Sequence, residues 1–199
     1  MCIRLPKSIF LHVPKCGGTW VRRTLAACNL VSEEIRDHVT LDALRALPSG
    51  RWKNLPAFAF VRHPAAWYRS YWAYKVSVGW DPNNGIDPAV QAPQFEPFVR
   101  NCIRHRPGLA GNLYRMYTQG AVYVGRMELL RESIIHILTQ LGEVFDPAVI
   151  YSAPAENVHG LTAALEPKCR YSPQLLKEVM EVEKEAIERY GYFTVNPPA

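Results

Sequence analysis

Residues 10–20 read FLHVPKCGGTW: an apolar run gives way to Lys15, Gly17, Gly18 and Thr19 just where a helical pattern begins. A loop that leaves a buried strand and enters a helix presents unpaired backbone N–H groups at the positive end of the helix dipole, a ready site for an anion. Two glycines let the backbone approach that anion closely, the Thr19 hydroxyl adds a donor, and Lys15 adds a full charge. A second segment, FAFVRHPAAWYRSYWAYK (58–75), also ends an apolar run with a cation, Arg62, and carries Ser70 eight positions on. Arginine at a strand end and a hydroxyl about two helical turns away can clasp one phosphate from two sides. The sequence thus predicts two anion clamps at the carboxyl ends of strands, the edge of a parallel sheet where ligands bind.

The first turn is not the nucleoside-triphosphatase P-loop, Gly-x-x-x-x-Gly-Lys-Ser/Thr, because Lys15 precedes its glycines and no acidic partner for magnesium follows. Alone, a Gly-Gly turn is equally a tight strand-to-helix connection. Cys16 reads as a small side chain filling the loop in preference to a nucleophile. The remaining cysteines, Cys2, Cys28, Cys102 and Cys169, are scattered without a Cys-x-x-Cys pair and read as reduced thiols. Asp81, Asn83 and Gly85 imitate a calcium loop, but the glycine falls one place early and position twelve is Ala92, so no metal is expected.

The elements that must position these residues follow from periodicity. SIFLHV (8–13) and AFAFV (57–61) are continuous apolar runs of buried parallel strands, with AVYVG (121–125) a third. TWVRRTLAACNL (19–30) has helical character, TLDALRALP (40–48) is a short helix ended by its proline, and 65–78 is an aromatic helix. Residues 79–93 read as a long surface loop, followed by helices over 94–105 and 109–118. Helices over 127–142 and 172–191 each stop at a glycine, and the second opens with Ser-Pro. Strands alternating with helices predict an α/β fold, a central parallel sheet flanked by helices on both faces.

At 199 residues, 48% hydrophobic and 21% charged, the chain has room for one well-packed domain. No apolar run approaches the roughly 20 residues of a membrane span, and no signal-peptide pattern opens the chain, so a soluble cytoplasmic protein is expected. The net charge of +5 fits an anionic ligand. It also fits nucleic acid, but the cations form no basic block, so no nucleic-acid partner is expected.

FLHVPKCGGTW resembles the 5'-phosphosulfate loop of the sulfotransferases that use 3'-phosphoadenosine 5'-phosphosulfate (PAPS), above all the carbohydrate-type branch, whose loop reads His-Ile-Pro-Lys-Thr-Gly-Gly-Thr. FVRHPAAWYRSYW is similar to that family's 3'-phosphate segment, Val-Arg-Asp/Asn-Pro followed by a serine and aromatics, and the two stand in the family's order. YVGRMELLRESIIHILTQLG (123–142) is similar to its Val-Gly-Arg-x-Glu-x-Leu helix entry, and residues 171–192 to its closing helix; 79–111 match nothing in it. The resemblance implies a single P-loop-like sulfotransferase domain over 1–199. It implies that Lys15, Cys16, Gly17, Gly18, Thr19 and Trp20 hold the 5'-phosphosulfate end of the donor, Cys16 through its backbone, while Arg62 and Ser70 hold the 3'-phosphate. Lys168 and Arg170, before the last helix, would close over the nucleotide as a basic loop does in relatives. A carbohydrate or other small-molecule acceptor follows from the branch resembled.

Sulfuryl transfer needs a deprotonated nucleophile, positive charge on the leaving oxygen and in-line geometry, and requires no metal. Lys15 is the candidate for following charge onto the leaving phosphate. His38, in IRDHVTLDAL, is the candidate base: it is expected after a short second strand, at the donor's sheet edge, and histidine titrates near neutral pH. Some relatives use a histidine between the two nucleotide motifs and others a glutamate, so Asp37, Glu33 and Glu34 are alternatives. His12 is expected as a buried imidazole hydrogen-bonded to backbone. His63 would tune the Arg62 clamp or pack, and His105, His136 and His159 have no motif context. Trp67, Tyr71 and Tyr74 share a helix face and read as core, leaving Trp80 as an acceptor contact. Two other readings compete: a P-loop-like ATP-dependent kinase, opposed by the place of Lys15, and a non-catalytic nucleotide- or RNA-binding module, supported by the basic charge alone. Calorimetry without added metal is expected to show binding of 3'-phosphoadenosine 5'-phosphate that weakens by about 1.5 to 3 kcal/mol in Arg62→Ala. A well-folded wild type that does not bind would overturn the donor assignment.

Overall fold

The computed structural model describes residues 1–36, 38–154 and 164–193. Its strands are β1 Cys2–Arg4, β2 Ile9–Leu11, β3 Glu33–Ile35, β4 Ala57–Val61 and β5 Tyr123–Arg126. Its α-helices are α1 Gly18–Ala27, α2 Leu41–Arg45, α3 Pro64–Val78, α4 Asp87–Val90, α5 Phe95–His105, α6 Leu109–Thr118, α7 Leu130–Gln140, α8 Pro147–Ser152, α9 Pro173–Val182 and α10 Lys184–Arg189. The chain forms two compact units, Met1–Arg62 with Leu113–Glu156, and His63–Asn112 with Asn157–Ala199.

The first unit holds a five-stranded open sheet in the order β3-β1-β2-β4-β5. β2, β4 and β5 are parallel, as expected of an α/β fold, with Leu11 opposite Ala59 and Val61 opposite Arg126. β1 and β3 add an antiparallel margin: β1 runs against both β2 and β3, so β3 points the same way as β2. Sequence patterning missed β1, whose three residues are too few to show a period. Every residue of β4 is buried, which is why AFAFV carries no polar alternation. Phe10, Phe58 and Phe60 pack in one core with Trp20, Val21 and Leu25 of α1, Ile134 and Leu138 of α7 and Ile150 of α8. Gly125 is required there, since a Cβ would stand 2.5 Å from the Phe60 ring. The helix expected over 127–142 begins as a tighter 3-10 turn, Met127–Leu129, before α7.

In the second unit α3 is buried nearly all round, with Tyr68 and Trp72 enclosed as fully as the expected face of Trp67 and Tyr71. Residues 79–93 are not a simple surface loop. They contain α4, whose Asp87 accepts a hydrogen bond from the Tyr71 hydroxyl at 2.5 Å, pairs with Lys75 Nζ at 2.6 Å and accepts from the Asp81 N–H at 2.9 Å. Three partners satisfy this buried carboxylate and pin the segment to α3. Trp80 is half-buried and packs on Phe98 with ring centroids 5.8 Å apart.

The helix expected over 172–191 is broken at Glu183 into α9 and α10. The Glu183 side chain accepts from the Tyr68 hydroxyl at 2.6 Å and from the N–H groups of Ala110 and Gly111 at 2.9 and 2.8 Å, capping the first turn of α6. Burial pushes its carboxyl above the usual glutamate range, with those hydrogen bonds acting in the opposite direction. A folded-state value above the unfolded one means that the native protein holds the proton more tightly, so stability falls as pH rises through and above the ordinary glutamate range. Because the depressed His12 imidazole contributes a rising slope to both proteins, the carboxyl is read as a difference: urea unfolding from about pH 4 to 8 is expected to show wild type losing stability relative to Glu183→Gln as pH rises. Glu183→Ala, which leaves three buried donors without an acceptor, is expected to cost about 2 to 4 kcal/mol.

Candidate anion-binding site

The loop between β2 and α1 is shaped by left-handed backbone at Lys15 (φ 65°) and at Gly17 (φ 79°). Turns of this kind bend successive N–H groups toward one concave side, where an anion can sit. A left-handed lysine is costly and glycine is not, so Lys15 is the residue that the loop holds under strain. Gly17 is the N-cap of α1, and its lack of a side chain means that it offers no capping oxygen to the first turn. The first-turn amides therefore form a donor set aimed out of the helix.

Gly18 has a different reason to be glycine. A Cβ there would stand 1.9 Å from the His12 ring, which packs directly against the Gly18 backbone. Burial pushes the His12 imidazole down to about 3, aided by the positive charge of its neighbours His38 and Lys15, so the ring is neutral at physiological pH. Its Nδ1 is buried with no partner among the described residues, so packing holds the ring where a backbone hydrogen bond was expected.

His38 follows β3 and, because β3 points along β2, stands at the carboxyl edge of the parallel strands as expected. Its ring centroid lies 4.8 Å from that of His12, and its Nδ1 lies 3.2 Å from the His12 carbonyl oxygen. A carbonyl only accepts, so the neutral ring carries its proton on Nδ1 and its lone pair on Nε2, the tautomer a general base needs. Of the alternatives, Glu34 accepts a forked hydrogen bond from Arg22 Nε at 2.9 Å, and Glu33 pairs with Arg4 at 3.5 Å and Arg51 at 3.9 Å. Asp37 lies outside the described residues.

Cys16 is 1% exposed and burial pushes its thiol far up, so it fills the loop as a neutral group. Thr19 is exposed on the first turn of α1. The Trp20 ring is core, with Nε1 donating to the Pro154 carbonyl at 3.0 Å, which leaves its backbone N–H as what it can present to a ligand. Arg62 closes β4 beside the β2 turn, and its carbonyl accepts from the Tyr114 hydroxyl at 2.7 Å. Arg126 closes β5 level with Val61, a third cation at this edge. Its signal in the sequence was the pattern that marked Arg62, an apolar strand running into arginine. Tyr114 had no such signal.

The first unit therefore brings Lys15, Gly17, Gly18, Thr19, His38 and Arg62 to one sheet edge. The second unit carries the rest. Ser70 lies on α3 and is 4% exposed. Lys168, in a 3-10 turn over Glu166–Cys169, and Arg170 just after it are exposed, flanking the buried Cys169, which lies beside Arg69. His63 is a structural cap: fully buried, it accepts from the Ala65 N–H at 3.2 Å and sets its ring edge-on to Tyr192 at 5.2 Å. Among the described residues no group of three or more metal-ligating side chains comes together, and no helix is long and apolar enough to cross a membrane.

No protein-family sequence model matches the chain, and no curated protein matches it by sequence. Among solved structures it is similar to the crystal structure of mouse sulfotransferase SULT7A1 complexed with PAP, with a TM-score of 0.54 and 10% identity over 92% of this chain and 84% of that one. At that identity the likeness is one of fold: this chain shares the open α/β sheet flanked by helices seen in that sulfotransferase.

The contact of Gly18 with His12 is open to direct test. Gly18→Ala must displace the imidazole from under the turn, and is expected to lower stability by about 1 to 3 kcal/mol in thermal or urea unfolding. Gly18→Ala combined with His12→Ala is expected to recover part of that loss, whereas additive losses would show that the two residues do not meet.

Proposed function

We propose that the protein is a sulfotransferase, moving the sulfuryl group of PAPS to a hydroxyl, in preference to an amine, of an acceptor. The observation that carries this reading is the placement of Lys15 and Arg62 at adjacent parallel strand ends with His38 beside the first turn. The fold shared with a sulfotransferase supports it. The donor set fits the nucleotide: backbone amides and a lysine for the phosphosulfate, an arginine at the next strand for the 3'-phosphate. In this reading Ser70 completes the 3'-phosphate contact, and Lys168 and Arg170 supply a basic loop. The whole chain acts as one catalytic domain with no metal. The sequence resemblance favours a carbohydrate acceptor. Five unpaired thiols fit a reducing cytoplasm.

The roles follow from charge and proton flow. The acceptor oxygen attacks sulfur in line with the bond to the 5'-phosphate, and that bond breaks with its electron pair on the bridging oxygen. Lys15 is the group that meets the charge developing there, and an ammonium on a flexible stem can follow it. Nε2 of His38 takes the acceptor's proton, and its Nδ1–H bond to the His12 carbonyl keeps the ring aimed. His12, held neutral by burial and its cationic neighbours, packs against this ring. His38→Ala is expected to lower kcat about 10²- to 10⁴-fold while changing affinity for 3'-phosphoadenosine 5'-phosphate less than about twofold. Turnover measured as release of that nucleotide from PAPS with a panel of hydroxyl acceptors tests it, and undiminished turnover in His38→Ala would remove the assigned base.

A further inference from the structure

Tyr114, on α6, is fully buried beside the carboxyl ends of β2 and β4. Its hydroxyl donates to the Arg62 carbonyl oxygen at 2.7 Å. It also lies beside the Cys16 thiol, which touches the Arg62 backbone and reaches the Pro14 carbonyl oxygen at 3.5 Å. One phenol thus contacts both the turn that bears Lys15 and the strand end that bears Arg62. The hydrophobic effect alone does not call for this arrangement: phenylalanine would fill nearly the same volume without bringing a hydroxyl that must be desolvated and bonded.

We infer that Tyr114 is a positioning residue that sets the spacing between the two anion-binding strand ends, so that a nucleotide carrying two anionic groups is held at both at once. The inference rests on the PAPS-donor reading above. Two contacts made by one rigid ligand reinforce each other only when the protein keeps them at the ligand's own span. A shift of about 1 Å between the ends would leave each contact available singly and remove the advantage of making both.

Titration calorimetry of wild type and Tyr114→Phe with 3'-phosphoadenosine 5'-phosphate, adenosine 5'-monophosphate and adenosine 3'-monophosphate tests this. Tyr114→Phe is expected to weaken the bisphosphate about tenfold and each monophosphate less than about twofold. A purely structural role would lower the unfolding temperature and leave the ratio of affinities unchanged, and an unchanged ratio overturns the inference. Cys16→Ala removes the turn's side of the contact and leaves α6 intact. It is expected to reduce the same ratio about threefold, and it decides the matter should Tyr114→Phe not fold. A wild type that binds the bisphosphate no better than the monophosphates overturns the donor reading itself. A wild type that keeps the preference, with variants that keep it too, overturns only the role of Tyr114.

Discussion

The candidate site depends on β2 and β4 lying side by side and parallel, with Leu11 opposite Ala59. Parallel pairing sends both strands out at the same edge, so the two turns that follow them, one with Lys15 and one with Arg62, emerge as neighbours. An antiparallel pairing of the same sequences would have put them at opposite edges and made no site. β1 enters as a reversing strand between β2 and β3, and two reversals restore the direction of β2. That is why His38, which follows β3, arrives at the edge where the turns after β2 and β4 are.

Close packing under the first turn follows from the same constraint. The turn between β2 and α1, residues 12–17, folds back over the strand end with left-handed backbone at Lys15 and Gly17. The turn is compressed enough that His12 occupies the space where a Gly18 side chain would be. Burial keeps that imidazole uncharged, because desolvation and nearby cations both penalise its protonated form. Positive charge at the edge is thus carried by long side chains able to reach a ligand and not by the ring beneath them.

The second unit solves a different problem with buried carboxylates. Asp87 and Glu183 each gather three hydrogen-bonding or ionic partners, and each holds an irregular stretch against a helix: the 79–90 segment in one case and the start of α6 in the other. Full satisfaction is what makes such groups tolerable in an apolar setting. It also explains two misreadings of the sequence. The segment read as a surface loop over 79–93 and the helix read as continuous over 172–191 each hide one of these carboxylates, whose distant partners no local pattern shows.

The sequence by itself determined the parallel strands, the glycine turn into α1 and the cation at the end of β4, because each is written in a local signal: an apolar run, a glycine pair, an arginine at a run's end. His38 could be placed after a short strand but not aimed. Its tautomer comes from the His12 carbonyl, 26 positions away in sequence. Tertiary structure alone decided that Trp20 is core, that His63 is a helix cap and that Tyr114 joins two strand ends. Each of these depends on hydrogen bonds or contacts between segments whose separation in the chain leaves no periodic trace, and a side chain's partner across such a distance is chosen by the fold.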